Sequence, residues 1–340
     1  MENILHVGLD VGSTTVKIVV IDSNKKEIYS DYTRHFSDTK NTVCKVLESL
    51  PEKFPNSKFT IALTGSGAMS AATFLGLPFI QEVVACKRAV EKFIPQTDVV
   101  IELGGEDAKI TYLSGGIDQR MNGICAGGTG AFIDQMATLL KTDASGLNEM
   151  AKDYKVIYPI ASRCGVFAKT DIQPLINEGA AREDIAISIF QAVVNQTISG
   201  LACGRPIRGT VAFLGGPLNY LPELRKRFIE TLHLKPEEIV VPEEAHLLVA
   251  KGACLDAIGN TPISIDELKQ KIQNLRNSQD NTTHPIDPLF NSMDEYKEFK
   301  DRHEKSKVSR KDLNSFEGDC FIGIDAGSTT TKLVLTDNED

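Results

Sequence analysis

The chain has 340 residues, 41% of them hydrophobic and 6% aromatic, and a formal charge of −9. That is apolar material for one or two ordinary cores, and the acidic balance argues against general binding to nucleic acid or anionic membrane. No apolar run is long enough to span a bilayer and no leader pattern opens the chain, so a cytoplasmic location is expected; the seven cysteines lack the spacing of a disulfide framework and are expected to be reduced thiols.

Residues 5–22, LHVGLDVGSTTVKIVVID, place two Val/Ile/Leu runs around a glycine turn, which predicts a β-hairpin. Gly12 lets backbone approach a ligand, Ser13, Thr14 and Thr15 add hydroxyl and N–H donors, and Lys17 adds a cation, together a phosphate cradle. Asp10, at the end of the first strand, can hold Mg²⁺ through water or orient an attacking water. The plain alternative is a hairpin whose Asp and Ser/Thr only satisfy the turn. Neither GxxxxGK[ST] nor a helix-opening GxGxxG accounts for this stretch. It resembles the first phosphate loop of the actin, sugar-kinase and chaperone ATPase superfamily. That resemblance implies an α/β fold of two similar, ribonuclease H-like lobes with nucleotide in the cleft between them.

Residues 27–34 extend the first sheet, 40–50 have helical spacing, and 59–63 form a strand ending in TGSG (64–67), which either lines a cleft or caps the next helix. Residues 82–93 are amphipathic; Glu82 reads either as a cleft carboxylate or as an acid at a helix N-terminus. TDVVIELGGEDAK (97–109) is a second strand, glycine turn and strand, with Glu102 in the place of Asp10 and Gly104–Gly105 as the turn. The superfamily usually has Asp here, and Glu102 is one methylene longer; it is expected to position Mg²⁺ or the hydrolytic water.

Cys125 stands before Gly127, Gly128 and Gly130 and an apolar helical face, so it is expected near a helix N-terminus, where the dipole favours thiolate; Cys164, between Arg163 and Gly165, again precedes a helix. Two thiolates are too few for a four-sulfur shell, but a two-fold dimer placing both near its axis supplies four. Cys44, Cys86, Cys203 and Cys254 read as packing residues. Residues 182–202 form a long core helix, and 209–214 a buried strand running into Gly215–Gly216–Pro217, a turn that suits close backbone approach to a planar ligand. A short strand at 239–241 and a helix over 243–257 close the domain.

Residues 260–318 are polar, with short helical possibilities at 265–275 and 293–303, and read as a linker. FIGIDAGSTTTKLVLTD (321–337) then repeats residues 6–22 at a constant offset of 315, with Asp325 on Asp10 and Lys332 on Lys17. The expected organisation is a complete domain over 1–258, a charged linker over 259–318 and the start of a second copy over 319–340, as in the N-terminal part of a longer tandem protein.

The order DVGSTT, LGGED, ICAGGTGAF, SRCGVFAKTD, FLGGPLN over about residues 4–257 resembles the ATP-dependent activators of 2-hydroxyacyl-CoA dehydratases and the ATPase subunits of benzoyl-CoA reductases. The resemblance implies ATP binding and hydrolysis, with Gly215 and Gly216 at the adenosine. It also implies one [4Fe–4S] cluster held at a homodimer interface by the cysteines matching Cys125 and Cys164, or shared with the second tandem domain. Reduced ferredoxin or flavodoxin would load the cluster, and an iron–sulfur dehydratase or reductase acting on a CoA ester would receive the electron. Two other readings stay open: a small-molecule kinase of the superfamily, or an ATP-binding module that has lost hydrolysis.

Overall fold

The computed structural model describes residues 3–123, 127–162, 164–278, 286–327 and 330–338. The chain divides into two compact units, Met1–Ser278 and Gln279–Asp340.

The first unit opens with β1 (Asn3–Val11), β2 (Thr15–Ile21), β3 (Glu27–Arg34), α1 (Thr39–Lys53), β4 (Ser57–Thr64), α2 (Ala68–Leu75) and α3 (Glu82–Phe93). Strands β1, β2 and β3 form an antiparallel meander, and β4 joins β1 in parallel, giving the order β3-β2-β1-β4. The chain then repeats the plan with β5 (Val99–Leu103), β6 (Ala108–Tyr112) and β7 (Asp118–Met121). It continues through α4 (Gly130–Leu139), α5 (Ala144–Met150), α6 (Gly165–Asn177), α7 (Arg182–Thr197), β8 (Val211–Leu214), α8 (Gly216–Tyr220), α9 (Pro222–Leu232), β9 (Ile239–Val240), α10 (Leu248–Ala257) and α11 (Ile265–Asn277). Here the order is β7-β6-β5-β8-β9, again a meander flanked on its first strand by parallel partners. The central strands β1, β5 and β8 are buried almost continuously because helices cover both of their faces, whereas the edge strands β3 and β7 are only partly buried.

Each sheet has its own core. Leu9, Val7, Phe59 and Ile61 pack with Val43, Leu47 and Leu50 of α1, whereas Ile101, Ile110 and Phe213 pack with Phe132, Met136 and Phe190 of α4 and α7. The continuous helix Arg182–Ala202, whose last turn widens to π geometry over Ile198–Ala202, is the only one among the described residues long and apolar enough to cross a membrane; most of it is buried here as core.

Several sequence expectations change. The helix expected over 243–257 begins only at Leu248, because Glu244 takes a left-handed φ of 57° and breaks the first turn. Cys44, Cys86 and Cys254 are buried packing residues as expected, but Cys203 is exposed, at the left-handed end of the π turn. The linker expected from residue 259 starts later. Helix α11, opened by a Ser264–Glu267 capping box, buries Leu268, Ile272 and Leu275 against the core of the first sheet, so the first unit runs through Ser278.

The second unit contains α12 (Met293–Glu304) and the hairpin β10 (Phe321–Ala326) and β11 (Thr331–Thr336). The pairing Phe321↔Thr336 reproduces His6↔Ile21 in register, and Asp325 faces Lys332 as Asp10 faces Lys17. Phe321, Ile322, Ile324, Leu333, Val334 and Leu335 are all exposed.

Candidate functional site

The two hairpins meet at one cleft. In the first, the Gly12 N–H donates to Thr15 O at 2.9 Å and closes the turn, while the His35 N–H donates to Thr14 O at 3.1 Å and braces its tip from behind. Asp10 is 2% exposed; its Oδ2 accepts from Lys17 Nζ at 2.7 Å, and its Oδ1 is buried without a hydrogen-bond partner among the described residues. Burial opposes the Lys17 charge, but the Asp10 carboxylate and then Glu102 outweigh it and raise the lysine pKa. The TGSG turn backs this hairpin: the Gly67 N–H donates to Val11 O at 2.9 Å, and Gly67 precedes α2. Those four residues are absent from the cleft lining given below, so the helix-entry reading of the turn is the better one.

In the second hairpin, Glu102 is buried one residue before the end of β5 and faces Lys109 across the strands. The Gly104 N–H donates to Asp107 O at 2.7 Å, and the turn runs so close to the first hairpin that a Cβ on Gly105 would lie 2.1 Å from Thr14 Oγ1. Only glycine fits there. The third turn is held equally tightly: Gly215 has φ 88°, and a Cβ on it would lie 2.0 Å from Leu103 O. These approaches give a cleft of about 410 Å³ lined by Thr14, Thr15 and Lys17, by Gly104 and Gly105, and by Gly216 and Pro217. Tyr32, Tyr220, Asp134 and Arg34 belong to the same wall, as do Gly130 and Ala131 at the start of α4, with Arg34 bonded to Asp134 at 3.0 Å from β3 to α4. Of the expected site residues, Thr14, Thr15, Lys17, Gly104, Gly105 and Gly216 line the cleft. Asp10, Gly12, Ser13, Glu102 and Gly215 stand behind that lining as the frame of the three turns.

One residue that the sequence reading passed over, Lys109, joins Glu82 in the same cluster. Lys109, 5% exposed, donates from Nζ to Glu82 Oε1 at 2.6 Å, and Glu82 is the first residue of α3. Burial first, then the neighbouring Glu102 charge, push the Glu82 carboxyl up to about 7 against the opposing pull of Lys109. Burial disfavours the Lys109 ammonium, but Glu102 and Glu82 more than offset it and its pKa is raised. Glu82 is thus the helix N-terminal acid of its two alternatives, and its carboxyl stands outside the cleft lining against Lys109. Lys109 had a signal in sequence: it lies seven residues after Glu102, as Lys17 lies seven after Asp10.

The cluster of Asp10, Glu82, Glu102, Lys17 and Lys109 has a net charge of −1 when all five ionise, and the partnerless Asp10 Oδ1 is a carboxylate oxygen suited to a hydrated hard cation. Among the described residues no group of three or more His, Cys, Asp or Glu is arranged to hold a metal ion by itself. Cys125 lies outside the described residues. Cys164 is the half-buried N-cap residue of α6, its carbonyl accepting from the Ala168 N–H at 2.9 Å, with Val166 and Phe167 exposed beside it. One thiol at a helix start, next to an uncovered apolar pair, fits a ligand shell completed by further chains or segments.

Comparison with known proteins agrees with this geometry. The 2-hydroxyisocaproyl-CoA dehydratase activator of Clostridioides difficile is 31% identical over 271 residues, covering 77% of this chain and 98% of that protein. The solved structure of component A of the Acidaminococcus fermentans (R)-2-hydroxyglutaryl-CoA dehydratase superposes with a TM-score of 0.66 at 26% identity, over 74% of this chain and 97% of that one. The Clostridium difficile 2-hydroxyisocaproyl-CoA dehydratase activator, solved with bound ADPNP, gives 0.65 at 27% identity, over 81% and 99%. The two-lobed actin-like ATPase architecture expected from the glycine turns is therefore the fold of this protein. With residues 7–257 matching, the chain belongs to the BadF/BadG/BcrA/BcrD ATPase family.

Proposed function

We propose that this protein binds and hydrolyses MgATP in the cleft and uses the energy to drive a low-potential electron onto an iron–sulfur dehydratase or reductase acting on a CoA ester. The observation that carries the reading is the contact of the two glycine turns, Gly105 against Thr14, with Lys17 and a buried acid behind each turn. The backbone N–H groups and hydroxyls of residues 13–15 and the N–H group of Gly105 receive the phosphates, Gly12 and Gly104 closing the turns that present them, Lys17 exchanges Asp10 for a phosphate oxygen, and Gly215 and Gly216 bring backbone against the adenosine. Asp10 holds a hydrated Mg²⁺, which neutralises phosphate charge when bound. Glu102 accepts a hydrogen bond from the attacking water; as the water oxygen bonds to the γ-phosphorus, the bridging P–O bond to the β-phosphate breaks and ADP leaves with that oxygen. Loss of the γ-phosphate removes a contact shared by both turns, and the lobe–lobe angle is the bistable element.

Cys125 and Cys164 are the proposed cluster ligands, contributed by two chains of a homodimer or by this domain and a second tandem copy; a [4Fe–4S] cluster bound there supplies a one-electron carrier. A reduced ferredoxin or flavodoxin is the proposed donor, and the cytoplasm the proposed location. Residues 319–340 are proposed to begin a second ATPase domain. The test is anaerobic iron and acid-labile sulfide on the protein and on Cys125→Ser and Cys164→Ser, alongside ATP turnover. About four irons per dimer, lost in both variants, is the expected result; iron-free protein after anaerobic reconstitution overturns the cluster, and absent turnover overturns the ATPase assignment.

A further inference from the structure

Two carbonyls of the first glycine turn are held by a single residue. His35, which follows β3 directly and is 6% exposed, donates its backbone N–H to Thr14 O at 3.1 Å and places its ring Nε2 3.2 Å from Gly12 O. The other ring nitrogen, Nδ1, lies 3.2 Å from the Ser37 nitrogen and 3.4 Å from Thr39 Oγ1. These partners fix the tautomer. A carbonyl oxygen can only accept and a backbone N–H can only donate, so Nε2 carries the hydrogen and Nδ1 is the acceptor. The chain takes an unfavourable path to reach this arrangement: Phe36 (φ 45°) and Ser37 (φ 68°) are consecutive non-glycine residues in the left-handed region, and the Asp38 N–H turns back to His35 O at 2.7 Å. Backbone of this kind persists only where its surroundings impose it, and it gathers where a functional group has to be held.

A peptide group is planar and trans, so a C=O and the N–H of the following residue point in opposite directions. Holding Gly12 O and Thr14 O therefore sets where the Ser13 and Thr15 N–H groups point. We propose that His35 is a positioning residue for the nucleotide: the Nε2–H bond to Gly12 O aims the turn at the phosphates, and the left-handed loop 36–38 holds the ring from its other side. The side chain stands behind the cleft lining and acts through the turn. The inference rests on the nucleotide reading above and deepens it by naming what keeps the phosphate donors in place.

The experiment measures ADPNP affinity of the full chain by calorimetry with Mg²⁺ present, and Tm by circular dichroism, for the wild type, His35→Gln, His35→Asn and His35→Ala. All three variants keep the backbone N–H to Thr14 O. The Gln amide nitrogen reaches the place of ring Nε2 and keeps the donor to Gly12 O, whereas the Asn amide oxygen stops at the place of Nδ1 and keeps only the acceptor for the Ser37 N–H. His35→Gln is expected to bind ADPNP within about threefold of wild type, and His35→Asn and His35→Ala about fivefold to tenfold more weakly, the scale of one lost hydrogen bond. A role in packing alone would follow Tm and would not separate Gln from Asn, and that pair decides the question even if the alanine variant folds poorly. Full affinity in His35→Asn, equal losses in Gln and Asn, or losses that track Tm overturn the role of His35 and leave the ATP site intact. A wild type that binds no ADPNP overturns the proposed function itself, and this role with it.

Discussion

Lys109→Met gives the most direct test of the cleft cluster. The substitution keeps most of the side-chain volume and removes the ammonium that lies 2.6 Å from Glu82, in a side chain only 5% exposed. Removing one partner of a buried ion pair costs about 3–5 kcal/mol, because the other charge stays behind unpaired. Glu82 keeps 22% of its side chain in solvent, which discounts the figure to about 2–3 kcal/mol at pH 8. For a unit of this size that corresponds to a fall of roughly 5–10 °C in Tm. The pH dependence supplies the sharper signature. The Glu82 carboxyl is raised to about 7 in the folded protein, so the stability tied to its proton is complete below the ordinary carboxylate range and is lost as pH rises through about 7. Without Lys109 the carboxyl rises further, so the part of the penalty carried by Glu82 is present at pH 8, where the wild-type carboxylate is charged, and absent at pH 5, where it is protonated in both proteins, while the contact of Lys109 with Glu102 is lost at both. Thermal unfolding followed by circular dichroism at the two pH values measures this, and Glu82→Gln combined with Lys109→Met is expected to recover about 1 kcal/mol or more of the loss. Equal Tm losses at pH 5 and pH 8, or a loss below about 2 °C at pH 8, would refute the cluster as described.

Asp10→Asn is expected to lower ATP turnover at least about a hundredfold, the usual scale for losing a positioned charged group, while the fold survives; phosphate release measures it, and near-wild-type turnover removes Asp10 from the chemistry. Gly105→Ala drives a methyl into Thr14 and is expected to weaken ADPNP binding about tenfold or more, read by calorimetry, with Gly105→Ala/Thr14→Ser partly restoring it. Ile272→Ala is expected to destabilise the first unit by about 2–4 kcal/mol, and a chain ending at Ile258 to melt lower than one ending at Ser278; unchanged melting in both would return α11 to the linker.

The glycine-turn hairpins of the cleft were legible because short-range rules determine them. Alternating β-branched runs around DVGSTT and IELGGED specify strand, turn and strand before any tertiary contact is considered, and the offset repeat at 321–337 specifies the same hairpin again. The membership of α11 in the core was not legible in the same way. Its amphipathic stripe of Leu268, Ile272 and Leu275 sits in a polar stretch, and only the groove between α1 and α2 shows what that stripe covers. Glu82 was ambiguous for a related reason: a helix-opening glutamate serves the dipole wherever the helix lies, and Lys109 becomes its partner only when α3 is laid against β6. Helix α4 could be predicted from its apolar face, but its capping by Gly104 and Gly105 could not, because those acceptors are 26 residues upstream.

The acid and lysine that face each other in β1 and β2 face each other again in β10 and β11, at 2.7 Å and 2.9 Å, although the first pair is 2% and 14% exposed and the second 64% and 69%. The hairpin alone therefore sets the pairing; its surroundings set what the pairing is worth. Where water has access, the two charges are screened and let go of each other at little cost. In the dry first copy the same lysine is held by one carboxylate and can be drawn away only by an anion that offers at least as much charge at the same spot. Burial thus turns a commonplace hairpin contact into a threshold, and on the proposed function the polyphosphate of the nucleotide is the ligand that crosses it.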